Sequence, residues 1–266
     1  MRSSFWRALA RPALAVAFLG ALTAWAWFTP PGLLGKADAI GYAVCHRSPA
    51  HSFFVGETQL PLCARCSGTF LSAFIGIAFQ VPRGRRSLFP PRPLRGVLIV
   101  LAAFFVLDGV NSLLNALPGV TALYPPQNTW RLISGSGFGA GLAALFYPFL
   151  NQILWAQPIP EPALATPRQV LGFFAVVALG VLGIYARLPW LTLPLAVLSA
   201  AGVVLLLSLS YTLLWVIMFQ GEGTFSNWYS ARWFLLAGLT TALVHIALVD
   251  IARFTLTATW EGFNLP

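Results

Sequence analysis

The chain has 266 residues, of which 9% are charged and 58% are hydrophobic, and its formal net charge is +9 at pH 7. A soluble domain carries about 25% charged residues, so this composition excludes an ordinary water-facing surface. The positive charge does not indicate nucleic-acid binding, because the arginines mark the ends of apolar segments and form no basic face with interleaved aromatic residues.

Seven apolar segments predict an all-α fold, a polytopic membrane helix bundle with about seven transmembrane helices in a lipid bilayer. A spanning helix needs about 17–25 residues, and the segments lack the alternation typical of a membrane β-barrel. In chain order they cover residues 9–28, 60–81, 97–117, 132–154, 170–186, 191–219 and 233–254. We divide the chain into an N-terminal membrane half, residues 1–156, and a C-terminal half of about three helices, residues 157–266.

The first segment has features of a secretory signal peptide. Arg2, Arg7 and Arg11 precede an apolar run that ends in Ala24-Trp25-Ala26. A cleaved leader and a retained anchor both fit this pattern, and the tryptophan-rich end and the length of the run favour a retained anchor.

The placement of the arginines predicts the orientation of the bundle. The connection between the first two segments contains only Lys36 and Arg47 as basic residues. The connection after the second segment contains five arginines: Arg83, Arg85, Arg86, Arg92 and Arg95. Because basic connections stay in the cytoplasm, we expect the N-terminus and the 82–95 connection there. The predicted location is the inner or plasma membrane of a prokaryote, with the connection at 29–59 on the outer face.

A cluster of metal-ligand residue types lies in that outer connection. All three cysteines and two of the three histidines fall within residues 45–66, as Cys45, His46, His51, Cys63 and Cys66. Three thiolates and one imidazole suit tetrahedral zinc, and soft thiolates also suit copper(I) or iron. Neighbouring side chains point apart in extended backbone, so His51 is sterically freer than His46 to be the fourth ligand.

Other chemistry stays open for the same cluster. On an oxidising outer face Cys63 and Cys66 form a CxxC disulfide, or Cys45 pairs with a partner protein. The chain would then be an enzyme, a thiol–disulfide oxidoreductase that exchanges electrons with a quinone, although it lacks a second cysteine pair. A third class is transport or a non-catalytic subunit of a membrane complex or homo-oligomer. The cluster is also compatible with a purely structural role.

Polar residues inside the apolar segments predict a second layer at the depth of the cysteines. Asp108 and His245 each lie about 20 Å from the cytoplasmic end of their segments. Ionisable groups within a bilayer are costly unless they are paired, so they commonly mark a site. The candidates for this layer are Arg65, Asp108, Asn111, Asn128, Arg131 and His245. An Asp108–Arg131 pair that joins the third segment to the fourth, and a ligand site, both fit.

Glycines at four-residue spacing in the fourth segment predict close helix packing. Gly135 and Gly139 would form one face on which another helix backbone approaches closely. A phosphate-binding loop would instead require a strand before the glycines.

Two motifs resemble those of a prokaryotic membrane-protein family known only as domain of unknown function 2085. The first is CHRSPAHSFF at 45–54 with QLPLCARCSGTFLS at 59–72, and the second is LDG at 107–109 with NTWRLISGSGFG at 128–139. The resemblance covers about residues 40–145 and places Asp108, Asn128, Arg131, Gly135 and Gly139 in matching positions. It implies one shared site on the outer face and no particular activity.

Overall fold

The computed structural model describes residues 2–262, with side chains from residue 11 onward, so the side chains of Arg2 and Arg7 lie outside it. The described chain forms α1 (Arg2–Phe28), α2 (Gly32–Val44), α3 (Ala64–Gln80), α4 (Arg92–Ala116), α5 (Asn128–Leu154), α6 (Pro167–Tyr185), α7 (Pro189–Met218) and α8 (Trp228–Thr257). It also forms β1 (Phe54–Val55), β2 (Thr58–Gln59), β3 (Arg86–Leu88) and β4 (Ile159–Pro162). Strands β1 and β2 pair as an antiparallel hairpin, and β3 and β4 pair in parallel.

Seven of these helices, α1 and α3 to α8, are long and apolar enough to cross a membrane. The prediction of an all-α membrane bundle with seven spans is therefore confirmed. The helix that the sequence analysis missed is α2, which follows Pro31 and packs against α7 and α8. It spans about 20 Å, and Lys36 and Asp38 interrupt its apolar residues, so it does not show the pattern of a spanning segment.

One end of the bundle gathers the connections α3–α4, α5–α6 and α7–α8, and we call it the arginine end. Strand β3, in the arginine-rich connection, pairs with β4 after α5. Trp155 forms an isolated bridge with Phe225, which precedes α8. Arg86 and Glu161 make an ion pair across the β3–β4 contact, with 2.6 Å between Nη1 and Oε2. These contacts place the three connections side by side.

The opposite end, which we call the cysteine end, is covered by the segment 46–59. Asn128, at the start of α5, donates from Nδ2 to the carbonyl oxygens of Ala50 and Ser52. Arg187, in the α6–α7 turn, lies over the Phe53 ring at 5.1 Å. Arg47 Nη1 donates to the carbonyl oxygen of Trp260, after α8. The end of α8 thus lies at the same end as the cysteines.

Helix α3 is central, because it contacts α5, α6 and α7. Its closest approach is to α5, at the predicted glycine face. A Cβ placed on Gly135 would lie 2.1 Å from the Arg65 carbonyl oxygen, and one on Gly139 would lie 2.0 Å from that of Thr69. The prediction that Gly135 and Gly139 allow close packing is confirmed. The division of the chain near residue 156 stays a prediction.

We expect Gly139→Ala to lower the free energy of unfolding by about 1–3 kcal/mol or more, because the methyl group would force α3 and α5 apart. Gly141, half a turn further along α5, is the matched control, since a Cβ there meets nothing within 4 Å. Gly141→Ala should raise the free energy of unfolding by up to about 1 kcal/mol through helix propensity. Thermal unfolding of both variants in detergent checks this, and equal effects would contradict the packing argument.

Candidate metal centre and the polar layer beside it

The three cysteines come together where α2 ends and α3 begins. Cys45 is the residue directly after α2, Cys63 directly precedes α3, and Cys66 lies in the first turn of α3. The three Sγ atoms all lie within 4.8 Å of one another. Helix α2 is thus the element that brings Cys45 to the other two cysteines.

The cluster is enclosed by protein. Cys45 is 5% exposed and Cys63 is 3% exposed, whereas Cys66 is half-buried. The backbone N–H groups of Arg47 and Cys63 each donate to Cys45 Sγ at 3.4 Å. Arg47 has a φ of 52°, a left-handed conformation that is uncommon for a residue with a side chain. The two N–H groups that donate to Cys45 Sγ favour its thiolate form.

Hydrogen bonding within the cluster makes the thiols differ in acidity. Hydrogen bonds from Cys63 and then Cys66 hold the pKa of Cys45 far below its usual range, and His46 adds to this effect. The hydrogen bond to Cys45 raises the pKa of Cys63 to about 12. One thiolate therefore forms readily, whereas further deprotonation requires a cation, which a metal ion supplies.

The two histidines lie beside the cysteines as a bonded pair. His46 Nε2 is 3.1 Å from His51 Nδ1, and the rings meet edge to face. His46 lies close enough to the Cys45 thiol to help lower its pKa. Cys45 has extended backbone and the chain turns at Arg47, and the choice between His46 and His51 as a fourth ligand stays a prediction.

His51 is held in its neutral form. Burial, followed by the positive charge of Arg131, lowers the pKa of His51 to about 4. A neutral imidazole has one nitrogen that accepts a hydrogen bond and one that donates. With Nδ1 of His51 facing Nε2 of His46, a shared N–H fixes the tautomers of both rings.

Asp108 is the centre of the polar layer and is fully buried. Arg65 donates from Nε to Asp108 Oδ2 at 3.1 Å, and its Nη2 also contacts that oxygen. Ser134 Oγ donates to Oδ2, and Tyr124 Oη donates to Oδ1 at 2.9 Å. The expected pairing of Asp108 with Arg131 is wrong, because Arg65 reaches across from the central helix α3 to α4 and occupies the carboxylate.

Arg131 is left without a carboxylate partner. It is 6% exposed, and its Nη1 donates to Asn128 Oδ1 at 3.0 Å. Among residues 11–262, no carboxylate oxygen lies within 4.0 Å of its guanidinium. Because its charge acts on His51, Arg131 faces the histidine side of the cluster.

The two asparagines of the layer hold connections in place. Asn111 donates to the carbonyl oxygen of Tyr124 and accepts from the N–H groups of Leu123 and Tyr124. Asn128 binds the segment 46–59, as described above. Both amides therefore position the backbone around Asp108 and the histidine pair.

The structure does not bring His245 into this layer. Its side chain is exposed on the surface of the bundle, and its Nδ1 lies 2.6 Å from Tyr211 Oη. Helix α8 packs mainly on α7 and α1 and lies away from α4, which carries Asp108. The depth inferred for His245 did not fix the side of α8 on which it lies, so its assignment to the layer is wrong.

Sequence reasoning missed one further contact to the cluster. Arg253 of α8 donates from Nη1 to the carbonyl oxygens of Cys45 and Tyr42, and its guanidinium lies 3.9 Å from the Tyr42 ring centroid. In the sequence, the signal for this contact is the charge of Arg253 near the end of the apolar segment 233–254. Through Arg253, the last helix supports the backbone of Cys45.

Comparison with known proteins explains the matching motifs. The sequence model of a family described as "Predicted membrane protein (DUF2085)" matches residues 45–145. An uncharacterised protein of Methanothermobacter thermautotrophicus is 30% identical over 104 residues, which cover 38% of this chain and 83% of that protein. The chain belongs to the DUF2085 family. The matched residues include all three cysteines, both clustered histidines and the polar layer of Asp108, while α6 to α8 lie beyond them.

A second archaeal relative is an uncharacterised protein of Methanocaldococcus jannaschii, 28% identical over 109 residues. The match covers 41% of this DUF2085 protein and 64% of the relative, which is less than two thirds of its length. No solved structure matches the chain.

Proposed function

We propose that this DUF2085 protein holds one metal ion, zinc by preference, on Cys45, Cys63, Cys66 and His46. The observation that carries the proposal is the approach of three Sγ atoms to within 4.8 Å of one another. Tetrahedral zinc with Zn–S bonds of about 2.3 Å separates its sulfur ligands by about 3.8 Å. A small inward movement of the thiols would meet this geometry.

His46 is the fourth ligand in this proposal. Its Nε2 faces His51 Nδ1, which leaves Nδ1 as the nitrogen available to the ion. A metal-binding histidine commonly donates its other N–H to a partner that orients the ring. Neutral His51 supplies that acceptor, so it acts as a positioning residue behind the ligand.

The charge around the cluster supports the same arrangement. Arg65 and Asp108 form an ion pair, whereas Arg131 makes no ion pair with a carboxylate among residues 11–262. Zinc with three thiolates and one neutral imidazole carries a charge of about −1. A buried guanidinium nearby would balance that charge, which makes the whole region neutral.

A closed four-ligand site favours a structural role or the holding of a metal ion. Catalytic zinc sites keep one position open for water or substrate, and this donor set fills all four. Exchange of disulfides requires an accessible thiolate, whereas Cys45 and Cys63 are buried. We therefore favour metal binding over thiol–disulfide exchange.

We also propose that the cysteine end faces outward from a prokaryotic membrane. The arginine end contains Arg83, Arg85, Arg86, Arg92, Arg95, Arg168 and Arg232. Basic residues are enriched on the cytoplasmic side of membrane proteins. Labelling of Glu57→Cys, an exposed position in the β1–β2 turn, in intact cells with a membrane-impermeant thiol reagent would test this orientation.

Substitution of cobalt(II) for the native metal tests the ligand set. We expect an absorption spectrum typical of tetrahedral cobalt with three sulfur ligands and one nitrogen. His46→Ala should change the spectrum and remove most of the affinity, whereas His51→Ala should keep the spectrum and weaken binding about 10–100-fold. His245→Ala is the matched control and should behave as the wild type. An unchanged spectrum and affinity in His46→Ala would contradict this ligand assignment.

A further inference from the structure

A groove between α1 and α8 lies apart from the metal centre. It has a volume of about 420 Å³ and is lined almost entirely by apolar side chains of the two helices, among them Ala21, Val244 and Leu248. Asp250 also lines the groove, as do Trp25, which hydrogen-bonds its carboxyl group, and Thr29. A carboxyl group in such surroundings is costly unless something neutralises or bonds it.

Asp250 has only part of its hydrogen-bonding capacity in use. It is 2% exposed, and its Oδ2 accepts a hydrogen bond from Trp25 Nε1 at 3.1 Å. Its Oδ1 is buried and has no hydrogen-bond partner among the described residues. An unbonded buried polar atom costs about 1–3 kcal/mol, so the fold retains this oxygen at a penalty. Asp250 lines an open apolar groove and keeps one oxygen unbonded, which indicates a ligand that donates a hydrogen bond.

We propose that this groove binds a lipophilic amine, with its ammonium group on Asp250 Oδ1 and its hydrocarbon chain along Ala21, Val244 and Leu248. A buried carboxylate is costly without a cation beside it, and an ammonium group would both offset its charge and bond its unbonded oxygen. An ammonium–carboxylate hydrogen bond is about twice as strong as a neutral one, so an amine is preferred to an alcohol of the same length.

The depth of the groove matches the shape of such an amphiphile. Asp250 lies seven residues before the end of α8, which is about 10 Å along the helix, and Val244 lies about 9 Å deeper. The polar head would therefore sit near the cysteine end and the chain would extend toward the middle of the bundle. Trp260 lines the same groove and stacks near Phe254, with ring centroids 5.3 Å apart.

Other charges near Asp250 have contacts of their own. Arg253, one turn further along α8, directs its Nη1 to the carbonyl oxygens of Tyr42 and Cys45. Lys36 Nζ donates to the Thr29 hydroxyl and to the Thr29 carbonyl oxygen. These bonds hold both cations to other groups, and the positive charge of Arg253 also acts on Asp250.

The test compares dodecylamine with dodecanol on the full-length protein in a non-ionic detergent. We expect native mass spectrometry to show one bound dodecylamine per chain, with an affinity about tenfold or more above that of dodecanol. Asp250→Asn should abolish this preference. Glu161→Gln, which changes an exposed carboxylate at the arginine end, is the matched control and should retain it.

A second variant keeps the proposal testable if Asp250→Asn does not fold. Ala247→Leu adds volume to the groove wall without changing charge, so it should weaken dodecylamine binding while the protein remains folded. Equal binding of dodecylamine and dodecanol to the wild type would overturn the proposal. So would an unchanged preference in Asp250→Asn, or unchanged dodecylamine binding in Ala247→Leu.

Discussion

The Cys63→Ser protein should lose its metal ion and most of its resistance to thermal unfolding. Cys63 directly precedes α3 and Cys45 directly follows α2, so an ion bound by both would join the end of α2 to the start of α3. A ligand present at about 1,000 times its dissociation constant stabilises the folded state by about 4 kcal/mol, and the variant would forfeit that amount. Thermal unfolding in detergent, with and without added zinc, measures the effect.

Ser72→Ala is the matched control for this experiment. Ser72 lies on α3, the helix that follows Cys63, is fully buried and has a hydroxyl group without a hydrogen-bond partner in the described chain. Its removal should leave metal content unchanged and should not lower stability. A Cys63→Ser protein that unfolds at the wild-type temperature, with no response to zinc in either protein, would contradict a stabilising metal.

The second large effect is expected at Asp108. Asp108→Ala removes the acceptor for Arg65, Tyr124 and Ser134 at once, and leaves the Arg65 guanidinium without its carboxylate. Breaking one side of a buried ion pair costs about 3–5 kcal/mol. Chemical or thermal unfolding of the purified variant should show a loss of this size.

Comparison with an exposed ion pair distinguishes the effect of burial on stability from the effect of losing a charge. Glu161 is 58% exposed in its pair with Arg86, so Glu161→Ala should cost about 0–1 kcal/mol. The double variant Arg65→Met with Asp108→Leu should recover much of the loss of Asp108→Ala, since it leaves no unpaired charge. If Asp108→Ala were no more harmful than Glu161→Ala, the polar layer would not stabilise the fold.

The spans of this protein were predictable because hydrophobic length alone identifies helices that cross a bilayer. Helix α2 was not, because it is short and contains Lys36 and Asp38, whose charges resemble those of a connection. The structure satisfies these charges locally: Lys36 donates to Thr29, and Asp38 pairs with Arg47 at 2.7 Å. The spacing of apolar residues along the sequence does not reveal such contacts.

Depth in the membrane was predictable for the polar layer, whereas direction around a helix was not. Counting residues placed Asp108 and Asn111 at the level of the cysteines, and both are fully buried there. The partner of Asp108 depended on how α3 lies against α4, so Arg65 replaced Arg131. The same uncertainty in direction misplaced His245, which faces the outside of the bundle.

The cysteine cluster was predictable from proximity in the sequence, whereas the contact between His46 and His51 was not. The three cysteines all fall within residues 45–66, which predicted a shared site, and the structure brings their Sγ atoms together. That contact depends on the turn at Arg47, whose left-handed backbone is uncommon for a residue with a side chain, and the choice between His46 and His51 as a ligand stays a prediction.

The most direct test of the proposed metal centre is the metal content of the full-length protein, purified in detergent without chelators or a metal-binding tag. We predict about one zinc ion per chain, or one copper or iron ion in its place, and none in Cys63→Ser. A wild-type protein that contains no metal, with Cys63 and Cys66 joined in a disulfide, would contradict the proposal and favour thiol redox chemistry.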